Sequence, residues 1–288
     1  MLHEIGRQRR LARLLPASRA ALWLPLDDGL ISGPEDHLRD LRRFLRRDIV
    51  EHVTAVLGFR GALATCHRDL TTTPVIMNLT ASTTLVDHTR KVVVGRVADA
   101  VRAGAEAIAC HVNLTSPHEA GQLEILGGLV SEADAYGVPV VAMAYPRTTR
   151  ADGGDNNHLE LRDRDPEEFA VLVRHGVRAA VELGASAVKT VFTGSVASFR
   201  TVVESAMGVP VLIAGEKLVD EAEAIAKAES AIRAGAAGVA FGRQIFARPD
   251  PGPFVGKLRT SMDDCWAETR AHDLSSARPT SEMPVSWG

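Results

Sequence analysis

Two short motifs alternate along this chain, and their spacing constrains the fold more than any other feature. A Gly-Ala pair closes a predicted helix and opens an apolar run, whereas a Pro-Val pair opens the apolar runs in between. The Gly-Ala pairs begin at Gly104, Gly184 and Gly235, and the Pro-Val pairs begin at Pro74, Pro139 and Pro210. Apolar runs that alternate with helical patterns predict parallel strands, because crossover helices cover such a sheet.

The two motifs open six predicted strands, and two further runs complete a set of eight. The predicted strands are residues 21–26, 62–65, 75–79, 107–112, 140–144, 187–191, 211–214 and 238–241. The predicted helices include 34–56, 96–103, 117–136, 166–183, 197–206 and 220–234. Eight strand–helix units predict a closed (β/α)8 TIM barrel. An open, doubly wound sheet is the alternative, but no Gly-x-Gly-x-x-Gly motif follows the first strand.

The length of 288 residues fits a single α/β barrel with short extensions. We expect an amphipathic helix within residues 1–20 to cover the bottom of the barrel, because leucines and arginines are interspersed there at helical spacing. The barrel itself is expected over residues 21–268. Residues 269–288 are rich in Ser and Pro, which predicts a flexible C-terminal tail.

The composition argues against nucleic acid or a membrane as a partner. The formal net charge is −3, and the densest basic segment, residues 39–47, has the apolar residues of a solvated helix face. No apolar run approaches the roughly 20 residues of a membrane span. Cys66, Cys110 and Cys265 are too widely spaced for a disulfide framework or a metal cluster, so we expect a reducing, cytoplasmic location.

One predicted strand carries a charged residue that its surroundings do not favour. Lys189 lies in the apolar run 185–191, which Gly184 and Gly194 bound. Removing an ammonium group from water is costly, so such a lysine either extends its charge to solvent or a carboxylate, or loses its proton. A neutral lysine amine is a nucleophile for carbonyl carbon. Both interpretations are open on this segment alone.

The carboxyl ends of the strands form the mouth of a TIM barrel, where active sites lie. The residues predicted there are Asp27, Asp28, His111, Asn113, Tyr145, Lys189, Gly215, Glu216, Lys217, Gly242 and Arg243. A lysine, a carboxyl group and a phenol at one mouth supply a nucleophile and groups that move protons. The glycine N–H groups and basic side chains after the last two strands are suited to binding phosphate.

Each of these residues also has an ordinary structural alternative. Asp27 could cap the next helix, and His111 could be a hydrogen-bonded core histidine. Tyr145 could serve only in packing, and Arg243 could pair with Glu216.

Several of the same segments, in the same order, resemble the DeoC/FbaB class I aldolase family. They are Leu26-Asp27-Asp28-Gly29 with Ser32-Gly33-Pro34, His111-Val112-Asn113, Ala144-Tyr145-Pro146-Arg147, Val188-Lys189-Thr190 with Thr193-Gly194, and Gly238-Val239-Ala240 with Gly242-Arg243 and Ile245-Phe246. The similarity extends over roughly residues 20–265. Within the family, the chain looks most like the archaeal-type fructose-bisphosphate aldolases and the 2-amino-3,7-dideoxy-D-threo-hept-6-ulosonate synthases.

The resemblance implies a role for each of three residues. Lys189 corresponds to the lysine that forms a Schiff base with a ketone donor, Tyr145 to the tyrosine that transfers protons, and Asp27 to the acid/base aspartate. Gly242 and Arg243 correspond to phosphate-binding positions. The other residues expected to contact substrate are Gly215, Lys217, Asp28, His111 and Ser195. We therefore expect a class I aldolase that forms or cleaves a carbon–carbon bond between a ketone and an aldehyde without a metal or another cofactor.

The chain departs from the family pattern at three places. The family's Asp-His-Gly is Asp27-Asp28-Gly29 here, its Thr-Gly-Asp is Thr193-Gly194-Ser195, and its Gly-Gly-Pro-Lys loop is shortened to Gly215-Glu216-Lys217. These changes favour a specialised biosynthetic enzyme that condenses a sugar-phosphate ketone or dihydroxyacetone phosphate with L-aspartate semialdehyde. A fructose-bisphosphate-type aldolase of central metabolism and a catalytically silent sugar-phosphate-binding barrel are the alternatives.

The segment from Arg147 to Arg164 is predicted to cover a polar substrate. It carries Asp152, Asp155, Asn156, Asn157 and His158, whose side chains are suited to such a substrate and, less commonly, to a metal ion. We also expect the protein to form a homo-oligomer.

Overall fold

The computed structural model describes residues 2–34, 36–150 and 155–276, and eight parallel strands form a closed barrel within them. The strands are β1 (Ala21–Pro25), β2 (Ala55–Gly58), β3 (Val75–Asn78), β4 (Ala107–Leu114), β5 (Val140–Pro146), β6 (Ala187–Thr190), β7 (Val211–Ala214) and β8 (Gly238–Ala240). The barrel closes because β1 pairs with β2 on one side and with β8 on the other. The prediction of a (β/α)8 barrel is thus confirmed.

The helices cover the outside of the barrel and its lower end. The longer ones are Leu2–Leu14, Glu119–Tyr136, Pro166–Glu182, Val196–Ser205, Glu221–Arg233 and Pro251–Ser276. The shorter ones are Asp28–Ile31, Leu41–Phe44, Arg47–Val50, Arg60–Thr65, Val97–Arg102, Leu159–Arg164 and Arg243–Phe246, with a 3-10 turn at Asp36–Leu38. Among the helices of the described residues, none is both long and apolar enough to cross a membrane.

Two short antiparallel ladders lie in the loops at the mouth. One pairs Thr80–Ala81 with Val92–Val93 in the loop after β3, and the other pairs Thr148–Thr149 with Asp155–Asn156 in the loop after β5. Each ladder folds its loop back on itself.

The prediction for the second strand is wrong. Residues 62–65 lie in the helix Arg60–Thr65, and the strand is Ala55–Gly58, in a region that was predicted to be helical as far as about residue 56. All four residues of β2 are buried. A short run buried on both faces shows no alternation of apolar and polar residues, so periodicity does not distinguish it from buried helix.

The N-terminal helix, Leu2–Leu14, packs against the amino ends of the strands. Arg10 donates a hydrogen bond to the Gly137 carbonyl (3.2 Å), and the Trp23 indole of β1 donates to the Leu14 carbonyl (3.0 Å). Gly137 ends a helix in the left-handed conformation, with φ +58°, and a Cβ atom there would clash with the His3 carbonyl. A glycine at this position therefore serves both the turn and the close approach of the helix.

The last helix, Pro251–Ser276, continues past residue 268, so the first eight residues of the predicted tail are helical. Two hydrogen bonds connect this helix to the rest of the domain. Arg259 donates to the Ala20 carbonyl just before β1 (2.9 Å), and the Ser261 hydroxyl donates to the Glu229 carboxylate (2.6 Å). The rest of the predicted tail, 277–288, lies outside the described residues.

Candidate active site

Strand register brings the predicted catalytic side chains to one face of the barrel. Met143 in β5 stands opposite both Lys189 in β6 and His111 in β4. Opposed residues of a parallel ladder point to the same face, and so does Tyr145, two residues beyond Met143. The charge of Lys189 also acts on Asp27 beyond β1, although β1 and β6 are not neighbours. These groups therefore meet across the barrel interior at its carboxyl end.

Lys189 is buried in the barrel, with 7% of its surface exposed. Within the described residues, its Nζ atom has no hydrogen-bond or ion-pair partner, and it is not fully enclosed. A lysine at a strand end usually pairs with a carboxylate or extends into solvent. In the described part of the chain, no carboxylate pairs with the Lys189 amine, and the side chain does not extend into bulk solvent. A buried amine that remains reachable from the mouth is placed to attack a carbonyl carbon.

Asp27 is a buried carboxyl group, 6% exposed, that accepts a hydrogen bond from the Asn78 amide (3.0 Å). Burial raises the pKa of Asp27, and the charge of Lys189 opposes that rise. The side chain makes no capping hydrogen bond to the helix Asp28–Ile31, which removes the structural alternative. A carboxyl group that holds its proton to higher pH than usual suits acid–base catalysis near neutrality.

Tyr145 is 5% exposed, and its ring lies 5.0 Å from the guanidinium carbon of Arg147. Within the described residues, its hydroxyl group makes no hydrogen bond that a ligand would have to displace. Its place on the same face as Lys189 puts a phenol beside the amine.

His111 is a buried histidine anchored by Thr80. The Thr80 hydroxyl accepts from the His111 backbone N–H (2.8 Å) and lies 3.3 Å from Nδ1. Burial, together with the charges of Lys91 and Lys189, holds the pKa of His111 well below its usual value. The imidazole is therefore neutral at pH 7, and the predicted contact of His111 with substrate would be a hydrogen bond rather than an ion pair.

The predicted phosphate residues follow β7 and β8. Arg243 is partly exposed, and its Nε lies 3.1 Å from Asp28 Oδ2, so it pairs with Asp28 rather than with Glu216. A Cβ atom on Gly242 would stand 2.8 Å from the Pro25 carbonyl, which requires glycine beside β1. Gly215 is buried at the end of β7, whereas the Lys217 side chain is exposed.

Glu216, which follows Gly215 after β7, is paired with two basic side chains. Its carboxylate accepts from Arg162 (2.8 and 3.0 Å) and from Lys227. Two cationic partners neutralise a charge that would otherwise repel a phosphate nearby.

Ser195 begins the helix Val196–Ser205. Its hydroxyl oxygen accepts the Ser198 N–H (3.0 Å) and donates to the Ser198 hydroxyl (2.9 Å). Because Ser and Asp are both good N-cap residues, this role explains how serine can stand where the family has aspartate.

The sequence reasoning missed a second buried lysine at the mouth. Lys91 is 4% exposed, and its Nζ is fully enclosed with no hydrogen-bond partner among the described residues. Burial, and next the charge of Arg147, lower the pKa of Lys91 to about 7. Its sequence context, between the polar residues 87–90 and a valine run, is that of an ordinary loop, so no sequence signal marks it.

Arg147 joins the loops after β3 and β5. It lies 3.0 Å from His88 Nε2 and donates to Asn157 (2.6 Å), and Asp155 lies 3.9 Å from its Nε. Burial lowers the pKa of His88 to about 3, so a neutral ring accepts the bond.

Among the described residues, no three His, Cys, Asp or Glu side chains gather as a metal site, and Asp152 lies outside them.

Comparison with known proteins identifies the family. A model of the DeoC/LacD family aldolases matches residues 21–248. The chain is 36% identical to the 2-amino-3,7-dideoxy-D-threo-hept-6-ulosonate synthase of Halobacterium salinarum, over 91% of this chain and 93% of that protein. It is 35% identical to the 2-amino-4,5-dihydroxy-6-oxo-7-(phosphonooxy)heptanoate synthase of Streptomyces griseus, over 88% of this chain and 89% of that protein.

Solved structures agree with these relatives. An archaeal fructose 1,6-bisphosphate aldolase superposes with a TM-score of 0.77 at 28% identity, over 89% of this chain and 98% of that one. A second structure of such an aldolase, with its catalytic lysine bound to the carbinolamine intermediate, has a TM-score of 0.76 at 27% identity and covers 88% and 98% of the two chains. The chain belongs to the DeoC/LacD family of aldolases and is a class I aldolase.

Proposed function

We propose that this enzyme condenses a three-carbon ketone with L-aspartate semialdehyde through a Schiff base on Lys189. The observation that carries the proposal is the placement of one buried, unpaired and reachable amine on the same barrel face as Tyr145 and across from Asp27. This trio supplies a nucleophile and two groups that can move protons.

Each step of the reaction has a group to perform it. The Lys189 amine adds to the ketone carbon, and the carbinolamine loses its hydroxyl as water when Asp27 or Tyr145 donates a proton. The iminium withdraws electrons, so the group that donated the proton, Asp27 or Tyr145, can remove one from the neighbouring carbon to give an enamine. The enamine carbon attacks the aldehyde, whose oxygen takes up a proton, and water then releases the product from Lys189.

The names of the two relatives support this choice of acceptor. In the product of the Streptomyces griseus enzyme, the ketone is at C6 and hydroxyl groups are at C4 and C5. An aldol bond therefore joins C4 to C5, and opening it gives dihydroxyacetone phosphate and 2-amino-4-oxobutanoate, which is aspartate semialdehyde. The Halobacterium salinarum product has the same amino-acid end but a 7-deoxy carbon at the ketone end.

A product assay tests the proposal against its alternatives. The enzyme is incubated with L-aspartate semialdehyde and either dihydroxyacetone phosphate or hydroxyacetone, and the products are analysed by mass spectrometry. We expect a seven-carbon 2-amino acid from one of the two ketones. Cleavage of fructose 1,6-bisphosphate without that product would favour an aldolase of central metabolism, and the absence of turnover would favour a silent barrel. Formation of a homo-oligomer stays a separate prediction.

Arg243 is the side chain expected to recognise a phosphate on the ketone donor. Asp28 holds its guanidinium beside the end of β1, so Arg243 can add a charge-assisted hydrogen bond to the backbone N–H groups after β7 and β8. Arg243→Ala is expected to raise KM for dihydroxyacetone phosphate by about 10-fold or more, with a much smaller effect on hydroxyacetone. Equal effects on the two ketones would show that Arg243 does not recognise phosphate.

Tyr145→Phe tests the phenol. Because Tyr145 is proposed to move a proton during bond formation, we expect kcat to fall about 10²-fold while the fold is retained. Tyr136 is the only other tyrosine, it is 46% exposed, and it lies in the last turn of a covering helix, so Tyr136→Phe is the matched control. Similar rates for the two variants would assign Tyr145 to packing.

A further inference from the structure

Lys91 occupies an unusual position for a charged side chain. The ladder between Thr80–Ala81 and Val92–Val93 turns the loop after β3 back over the mouth, and Lys91 directly precedes its second strand. The side chain is enclosed, and among the described residues nothing pairs with its Nζ. An enclosed ammonium without a partner is strongly unfavourable, so this amine is suited to meet an anionic group of a substrate.

The charges around Lys91 place it in the active site. The charges that shift the pKa of Lys91 are those of Arg147, Asp27, Asp155 and Asp28. The charge of Lys91 in turn lowers the pKa values of His88 and His111. Asp27 and His111 are residues of the mouth that contains Lys189. The strand after Lys91 pairs with Thr80–Ala81, and Thr80 bonds to His111, so Lys91 lies beside the mouth, where a ligand would have to displace the side chains that enclose its Nζ.

Arg147 is the neighbouring charge with the largest effect on Lys91. Two adjacent, poorly solvated cations repel each other, and an anion placed between them replaces that repulsion with two attractions. His88 and Asn157 hold the Arg147 guanidinium in place through side-chain hydrogen bonds, and His88 lies three residues before Lys91 in the same loop. The pair is thus a potential site for one anionic group.

A carboxylate fits this site better than a phosphate. Asp155 stands beside Arg147 and also acts on Lys91, so a dianion would face a carboxylate, whereas an α-amino acid brings an ammonium group next to its own carboxylate. The products named for the two relatives share the 2-amino-acid end, and only one of them carries a phosphate. We propose that Lys91, with Arg147 beside it, binds the carboxylate of an α-amino-acid aldehyde and so selects the acceptor. This inference rests on the proposed function.

An acceptor series tests the site on the unmodified enzyme. L-2-Amino-4-oxobutanoate carries both charged groups, 4-oxobutanoate carries only the carboxylate, and butanal has the same chain length with neither. We expect kcat/KM for 4-oxobutanoate to exceed that for butanal by about 10-fold or more at pH 6, the value of one charge-assisted hydrogen bond. Because kcat/KM reports the protonation of the free enzyme, this advantage should shrink as the pH rises above about 7 and Lys91 loses its proton.

Substitution of Lys91 provides the second test. Lys91→Met keeps the length of the side chain and removes its charge, so we expect kcat/KM for both carboxylate acceptors to fall about 10- to 100-fold. The value for butanal, which carries no carboxylate, should fall much less, so the ratio of the carboxylate acceptors to butanal is the quantity that reports the site. Lys257→Met, which removes a lysine that is exposed on the last helix, is the control and should leave all three values unchanged.

The results that would overturn the inference are distinct from those that would overturn the function. Three results for Lys91→Met would exclude Lys91 as the carboxylate site. They are an equal fall of kcat/KM with butanal and the carboxylate acceptors, no fall with any acceptor, and a fall that depends on whether the ketone carries a phosphate. Borohydride trapping of the ketone on Lys189, measured in the same preparations, separates the two. Trapping that persists while acceptor selection is absent refutes the inference alone, and no trapping in the unmodified enzyme refutes the proposed function.

Discussion

Replacement of Lys189 by methionine is expected to lower kcat by at least about 10⁴-fold, the scale on which enzymes lose activity when a covalent nucleophile is removed. Methionine fills nearly the same volume, and Lys189 Nζ has no hydrogen-bond partner among the described residues, so the barrel should fold normally. Steady-state kinetics with the active ketone measures the loss, and circular dichroism checks the fold.

Lys257→Met again serves as the control, because it removes an exposed lysine on the last helix. A Lys189→Met enzyme that retained even a tenth of the activity would show that another residue is the nucleophile. Lys91 would then be the next amine to consider, since it is buried at the same mouth.

The second large effect is expected from Asp27→Asn. If the buried carboxyl group moves protons for the carbinolamine, its loss should lower kcat by about 10²- to 10⁴-fold. In the unmodified enzyme, Asp27 must be protonated to donate, so the basic limb of the rate profile that it sets should lie above pH 4, the ordinary range of an aspartate, because burial raises the pKa of Asp27. The limb should be absent from whatever activity the variant keeps.

The stability of the same variant gives an independent check. The folded-state pKa of Asp27 is raised, so between the ordinary value near 4 and the raised value the folded protein binds more protons than the unfolded chain. Stability therefore falls as pH rises through that window, and at pH 7 Asp27→Asn should melt no lower than the unmodified enzyme. A variant that is inactive because it unfolds, or a fully active one, would contradict the assignment.

The sequence was sufficient for the barrel and for the strand-end residues because both depend on local order. Alternating motifs set the strands, and parallel register then requires Lys189, His111 and Tyr145 to share a face. The second strand was misplaced because its four buried residues have no periodicity. The long last helix was not predicted, and its final eight residues were assigned to a flexible tail together with the Ser- and Pro-rich residues that follow them.

The remaining features depend on contacts between distant segments. Lys91 is buried where two loops meet, and Arg147 of the other loop lies 56 positions away in the sequence. The partners of Glu216 are not Arg243 but Arg162 and Lys227, which come from two separate helices. The pairing of Arg243 with Asp28 likewise joins residues that follow the last and the first strands of the barrel. Sequence spacing carries no information about such pairs.

The most direct measurement of the central claim is borohydride trapping followed by peptide mass spectrometry. The enzyme is mixed with dihydroxyacetone phosphate or hydroxyacetone, reduced with borohydride and digested, because reduction converts the iminium into a stable secondary amine. The account predicts one adduct, on the peptide containing Lys189, with the ketone that supports turnover, and none in Lys189→Met. An adduct on Lys91 or another lysine, or undiminished trapping in Lys189→Met, would contradict it.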